Sequence, residues 1–258
     1  MKKEQLEYAA ARYGTPLYLF DLDILKKQAD RLRNALGKET GLCYAMKANP
    51  FLTKHMEEKV DRIEVCSMGE FEICRSLEIP PEKLFISGVL KKKEDIYRIL
   101  ETYGEKCRYT VESVRQLHYF LEWSDTHMKT LRLYPRLTNG SQFGMDEDTM
   151  RSIVSIVNMS PYLEIEGIHY FSGTQKRHTR QFRQEIEMLD RFLIKIRDEW
   201  NVRVRHLEYG PGTAVPYFHG KEAETYTDEG LGKLREAIRS MEWDGNVTIE
   251  LGRAFAAE

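Results

Sequence analysis

Cysteine is sparse in this sequence and shows no pairing pattern. Cys43, Cys66, Cys74 and Cys107 lie far apart, with no CxxC and no matched histidine pair, which argues against a zinc site and against a disulfide framework. Each reads as a small core residue. Cys66 is the exception, because it stands beside Ser67 and Gly69 in a strand-to-loop segment of the kind where active-site residues collect. An excess of one charge is lacking too: 39 Lys and Arg against 41 Asp and Glu leave a net charge of −2, and nothing indicates a nucleic-acid partner. The densest basic run, Lys91-Lys92-Lys93, is followed at once by Glu94 and Asp95, so it reads as a solvated helix start and not a phosphate patch. No apolar stretch approaches the roughly 18 residues of a membrane span. The start, Met1-Lys2-Lys3-Glu4-Gln5-Leu6-Glu7, has no apolar signal-peptide core, and a cytoplasmic location is the expectation. Internal repeats, low-complexity tracts and long linkers are absent as well.

What is present is a chain of 258 residues with 41 % hydrophobic content, enough for one barrel-sized domain or two smaller ones. Short apolar segments alternate with longer helical patterns, the signature of βα units and a parallel sheet. Strands are expected near 42–47, 62–66, 84–87, 107–111, 130–134, 163–169, 203–208 and 247–250. Between them, 69–77 and 182–200 read as amphipathic helices; in the second, Ile186, Leu189, Phe192, Leu193 and Ile196 recur at helical spacing and form a core stripe. Eight such strands suggest a (β/α)8 barrel over 41–258, with its active site at the C-terminal strand ends. Residues 1–40 read as a helix-rich lead-in, with a turn at Tyr13-Gly14-Thr15-Pro16 and Asp23 as the cap of the next helix.

A barrel gathers its strand ends into one mouth, so those ends are read together. The first apolar run, Leu42-Cys43-Tyr44-Ala45-Met46, ends on Lys47. Partial desolvation lowers a lysine pKa, and a neutral amine attacks carbonyls; a strand-end lysine on its own more often just reaches water. After the sixth strand comes Gly167-Ile168-His169-Tyr170-Phe171-Ser172-Gly173-Thr174-Gln175, rich in small and hydroxyl residues. After the seventh comes Tyr209-Gly210-Pro211-Gly212-Thr213, whose amides suit an anion, although most such tripeptides are plain turns. The eighth ends Ile249-Glu250-Leu251-Gly252-Arg253, a carboxylate and an arginine that could equally form a salt-bridged strand end.

A lysine, an anion loop, an arginine and a carboxylate are the parts that hold pyridoxal 5′-phosphate, whose aldehyde, phosphate and ring nitrogen each need a different partner. With Tyr44-Ala45-Met46-Lys47-Ala48-Asn49, Cys66-Ser67-Met68-Gly69-Glu70, Ser141-Gln142-Phe143-Gly144, Gly173-Thr174-Gln175, Gly210-Pro211-Gly212 and Glu250-Leu251-Gly252-Arg253 in this order, the chain resembles the barrel domain of the fold-type III pyridoxal-phosphate decarboxylases, most closely the diaminopimelate and ornithine/lysine decarboxylase-like group. The resemblance runs from about Gly14 to the last residue. It implies an alanine racemase-like TIM-type barrel and pyridoxal-phosphate-dependent decarboxylation of an amino acid, diaminopimelate or another basic or diamino acid, as the small-molecule substrate. It makes Lys47 the lysine that holds the cofactor as a Schiff base. It places Gly210, Gly212, Thr174 and Arg253 around the phosphate, with Gly252 carried over beside Arg253, and sets Glu250 against the pyridine nitrogen. Arg132 and Arg136 share a strand face, and either fits the family's basic residue in the mouth; Arg136 is preferred because it precedes the Gln-Phe-Gly segment more directly.

The chain departs from the family pattern in several places. Phe171 stands where much of the family has a histidine stacked on the cofactor, and it can stack but cannot donate a hydrogen bond or carry charge. Glu64 replaces an aspartate, and Pro211 replaces the middle glycine of the phosphate loop, removing an amide. The chain stops five residues after Arg253, so the resemblance implies that the family's C-terminal β-domain, with its acid cysteine and its share of a dimeric active site, is absent from this chain and that a longer form is a homodimer. A non-catalytic cofactor-binding or regulatory barrel and an amino-acid racemase are the other readings; the carboxylate at Glu250 opposes the racemase.

Overall fold

A computed structural model of the chain describes residues 2–88, 91–218 and 223–257. The strands are β1 (Gly41–Ala45), β2 (Arg62–Val65), β3 (Leu84–Ile86), β4 (Arg108–Val111), β5 (Leu131–Leu137), β6 (Leu163–Ile165), β7 (Gly167–Phe171), β8 (His206–Gly210) and β9 (Asn246–Leu251). All pairings between them are parallel. The order β4-β3-β2-β1-β9-β8-β7-β5-β6, with β5 also paired to β4, closes eight strands into a barrel and leaves β6 riding on the lower half of β5.

The segment expected as one strand over 163–169 is therefore two. Glu166 interrupts it: its N–H donates to the Leu133 carbonyl, while its own carbonyl turns to the N–H groups of Arg205 and His206. Its carboxylate, 3.1 Å from Arg108 Nε, is held sideways at that break. Above it, β7 takes over from β6 as the partner of β5, pairing His169 with Arg136. This local shift points Gly167, His169 and Phe171 into the barrel, because side chains alternate along a strand. Gly167 is required there: a Cβ would lie 2.2 Å from the Tyr134 ring.

Around the barrel run α3 (Thr53–Met56), α4 (Met68–Ser76), α5 (Lys93–Tyr103), α6 (Val114–His127), α7 (Glu147–Met159), α8 (Arg180–Trp200) and α9 (Asp228–Arg239). In α8 the stripe Ile186, Leu189, Phe192, Leu193 and Ile196 is buried as its spacing requires, and each such side chain contributes about 1.5–3 kcal/mol by leaving water. Two helices precede the barrel, α1 (Lys3–Tyr13) and α2 (Leu22–Leu36). The cap of α2 is Asp21, not Asp23: its carboxylate accepts the N–H groups of Asp23 and Ile24, which an N-cap does and a residue inside the first turn does not. From α2, Gln28 donates to the Ala254 carbonyl at 2.8 Å and Arg31 pairs with Asp228 at 2.6 Å, so this helix braces the turn that carries Arg253. Cys43, Cys74 and Cys107 are core residues. Among the described residues no helix is long and apolar enough to cross a membrane.

Candidate active site

The barrel interior is polar in layers. In its middle, Arg62 pairs with Glu208 at 2.5 Å, both buried, and burial pushes the Glu208 carboxyl up to about 7 against the pull of Arg62. Above this layer the C-terminal strand ends converge on Lys47. It stands on a tight turn (Met46–Ala48) just past β1.

Its Nζ donates to Glu64 Oε2 at 2.7 Å and to Glu250 Oε1 at 3.3 Å, and lies 3.7 Å from Cys66 Sγ. Desolvation on its own would push the Lys47 pKa down, as the sequence reading expects; the carboxylates of Glu250 and Glu64 outweigh it and hold the amine above the ordinary lysine range. The two carboxylates thus favour the ammonium form of Lys47. Glu64 is the hub of a small network, its Oε1 accepting from Ser87 Oγ at 2.6 Å and from Cys66 Sγ at 3.1 Å. Burial, with Glu64 adding to it, keeps the Cys66 thiol protonated.

On the far side of Lys47 lies a cavity of about 300 Å³, lined among others by Phe171, Gly173, Thr174, Gly212, Glu250 and Arg253. Phe171 lays its ring over Gly210, where a Cβ would stand 2.4 Å from the ring, and Lys47 Nζ is 5.4 Å from the ring centroid. Gly212 has φ +68°, and a Cβ on it would lie 2.3 Å from the Gly173 carbonyl oxygen. Gly252 backs onto Ala48, 2.9 Å from where its Cβ would be. The loops are stitched together by Lys176 N–H to the Gly212 carbonyl and Ser172 Oγ to the Pro211 carbonyl. Arg253 donates to Thr174 Oγ1 and to the Tyr217 hydroxyl. Thr213 Oγ1 is buried without a hydrogen-bond partner at the same spot.

All the residues expected at the site, Lys47, Glu64, Arg136, Phe171, Thr174, Gly210, Gly212, Glu250, Gly252 and Arg253, are gathered at this one end of the barrel. Of the two arginines on β5, only Arg136 reaches it, bonding Glu112 at 2.9 Å; Arg132 binds the carbonyls of Glu105 and Lys106 at the opposite end. Four residues along one strand separate the two ends of the barrel. The Lys91-Lys92-Lys93 run is solvated only in part: Lys91 turns inward onto the Thr110 carbonyl and hydroxyl, at 3.0 and 2.7 Å, and burial, with Glu112 opposing, pushes its amine down to about 8. Glu112, Ser87, His169 and Lys91 were missed as site residues. Glu112 carries the same signal as Glu250, a lone carboxylate closing an apolar strand, Tyr109-Thr110-Val111-Glu112.

His169 is buried beside this cluster, and burial, with the Arg136 charge, pushes its imidazole down to about 3 from 6.5. Between those values the unfolded chain binds a proton that the folded chain refuses, so stability rises with pH across that window and is lost as pH falls through it. We expect denaturant unfolding between pH 6.5 and pH 4 to show a steeper loss for the parent than for His169→Asn, by one proton's worth, on the order of 1 kcal/mol per pH unit. Equal slopes would contradict a neutral buried His169. Gly212→Ala is expected to weaken binding of an anion in the cradle about tenfold, because its Cβ, 2.3 Å from the Gly173 carbonyl oxygen, must displace the loop that lines the cradle. Gly14→Ala, also at positive φ but with open space around it, is the control for strain alone and should leave that affinity unchanged in a ligand titration.

The family model for the pyridoxal-dependent decarboxylases, pyridoxal binding domain, matches residues 22–257. Among curated proteins, the chain is 27 % identical to the L-glutamyl-[BtrI acyl-carrier protein] decarboxylase of Niallia circulans, across 100 % of this chain and 65 % of that relative. It is 25 % identical to the diaminopimelate decarboxylase of Methanocaldococcus jannaschii, across 96 % and 62 %. The crystal structure of a lysine/ornithine decarboxylase from Vibrio vulnificus, complexed with cadaverine, shares the fold with a TM-score of 0.83 at 21 % identity, over 98 % of this chain and 65 % of that one. The chain thus spans a little under two thirds of the relatives' length.

Proposed function

The chain belongs to the pyridoxal-dependent decarboxylases, as their pyridoxal-binding domain, and from that membership we propose that it is the cofactor-bearing part of an enzyme that removes the α-carboxyl group of an amino acid. The observation that carries this is Lys47 held between two buried carboxylates at the rim of a cavity floored by glycines. The residues fit pyridoxal 5′-phosphate. Gly210, Gly212 and Gly252 let Phe171, the Gly173 carbonyl and Ala48 close around the cavity, Arg253, Thr174 and the unpartnered Thr213 hydroxyl suit its phosphate, and the buried carboxylate of Glu250 suits its ring nitrogen. When bound, the cofactor supplies an electron sink for the pair left on the α-carbon as CO2 departs.

The protein's own residues do the rest. Lys47 would hold the cofactor through its amine, for which the ammonium must first give up a proton; Glu64 at 2.7 Å is the nearest acceptor, and Ser87 and Cys66 keep that carboxylate in place. Glu250 orients the ring and favours its protonated form, which opposes the racemase reading. Phe171 covers a ring face with no charge of its own. Arg136, fixed by Glu112, keeps a positive charge at the entrance for the substrate's carboxylate. Diaminopimelate or another basic or diamino acid is the substrate class, and the working protein is a homodimer. A longer form that carries the family's C-terminal domain, supplied with pyridoxal phosphate, should release CO2 from one of diaminopimelate, lysine, ornithine or arginine, and light scattering should give twice its chain mass. Cofactor binding without CO2 from any amino acid, glutamate included, would favour the non-catalytic reading.

A further inference from the structure

Two buried polar groups in the mouth face each other without a bond. Glu250 Oε2 and both ring nitrogens of His169 lack hydrogen-bond partners, and each residue is at least 96 % buried. His169 Nε2 is nevertheless only 3.4 Å from Glu250 Oε2. The separation is short enough for a bond and the alignment is poor. Leaving such groups unpaired in the interior is destabilising, so an arrangement like this persists where another state of the protein pairs them.

The present partner of Glu250 is Lys47, through Oε1 at 3.3 Å. That ammonium is lost to Glu250 once the amine is taken up in covalent work, and the carboxylate then needs another donor to stay in place. The inward neighbours of Glu250 offer few. Phe85 packs edge-on against the His169 ring and holds its plane, with centroids 5.6 Å apart, while Arg136 is committed to Glu112.

We propose that His169 is a positioning residue for Glu250, donating its Nε2–H to Oε2 and so fixing the carboxylate that faces the ring nitrogen of the cofactor. Glu250 has that task only if the pocket takes pyridoxal phosphate, as proposed above. The imidazole acts as a neutral donor: a charged ring would compete with the cofactor nitrogen for the same carboxylate, whereas a neutral N–H occupies one oxygen and leaves the other free. His169→Leu removes the donor, and His169→Gln restores one at similar reach.

Nitrogen-15 NMR tests this in two ways. In 15N-histidine-labelled parent protein, with or without cofactor, His169 should show the neutral Nε2–H tautomer at pH 7; an Nδ1–H tautomer or an imidazolium overturns the proposal without any variant having to fold. With 15N-pyridoxal phosphate bound, His169→Leu should lower the proton affinity of the ring nitrogen about tenfold and His169→Gln should recover most of it. An unchanged ring-nitrogen shift in His169→Leu also overturns it. Failure of the parent to bind pyridoxal phosphate counts against the decarboxylase reading alone, and the tautomer in the cofactor-free protein still decides the role of His169.

Discussion

Replacing Lys47 by alanine is expected to lower amino-acid decarboxylation by on the order of 10³-fold or more and to abolish covalent capture of the cofactor. The amine has two properties that alanine removes together: a positive charge between Glu64 and Glu250, and a nucleophilic nitrogen. Lys47→Arg separates them. A guanidinium keeps the charge at any accessible pH but does not act as the nucleophile, so it should preserve stability better than alanine and be equally inactive. Single-turnover CO2 release from both variants checks this. An arginine variant with near-parental activity would mean that the charge matters and the covalent role does not.

Glu250→Gln is expected to cost about 10²–10³-fold in kcat while leaving cofactor affinity within about tenfold of the parent. The amide keeps the shape and can still meet the ring nitrogen, so binding through the phosphate cradle survives. It lacks the negative charge that favours the protonated ring, so what falls is the rate of losing CO2. The opposite pattern, a large loss of affinity with kcat intact, would make Glu250 a binding residue only.

The strands were legible because a parallel barrel is covered on its outer face by helices and leaves outward apolar runs such as Leu42, Tyr44 and Ile63, Val65. Inward positions read less well. Arg62, Glu208 and Thr248 are polar in a closed core, and their pairing is set by strands distant in sequence. The break at Glu166 was invisible because the reason for it, the offset between β5 and β8, is tertiary.

At the site, residue types and order marked the lysine, the glycines and Arg253, since the chemistry of a phosphate and an aldehyde narrows the choice. The charge state of Lys47 was not legible. Burial was foreseeable from the apolar run, yet the two carboxylates that overrule it lie 17 and 203 residues away and meet it only when the barrel closes. Lys91 failed in the reverse direction. Its neighbours Lys92 and Lys93 belong to a helix start, and nothing local shows that one amine of three bends into the mouth and takes on the depressed pKa first assigned to Lys47.

That exchange sets the decisive measurement. Of Lys91 and Lys47, Lys91 is the more readily deprotonated and Lys47 the one beside the cradle, so simple reactivity and geometry point to different residues. The chain should be loaded with pyridoxal phosphate, reduced with borohydride, digested and analysed by mass spectrometry. The pyridoxyl group is expected on the peptide containing Lys47, in about one equivalent per chain. Labelling confined to Lys91, or spread over surface lysines with none at Lys47, would contradict the assignment of this cavity as the cofactor site.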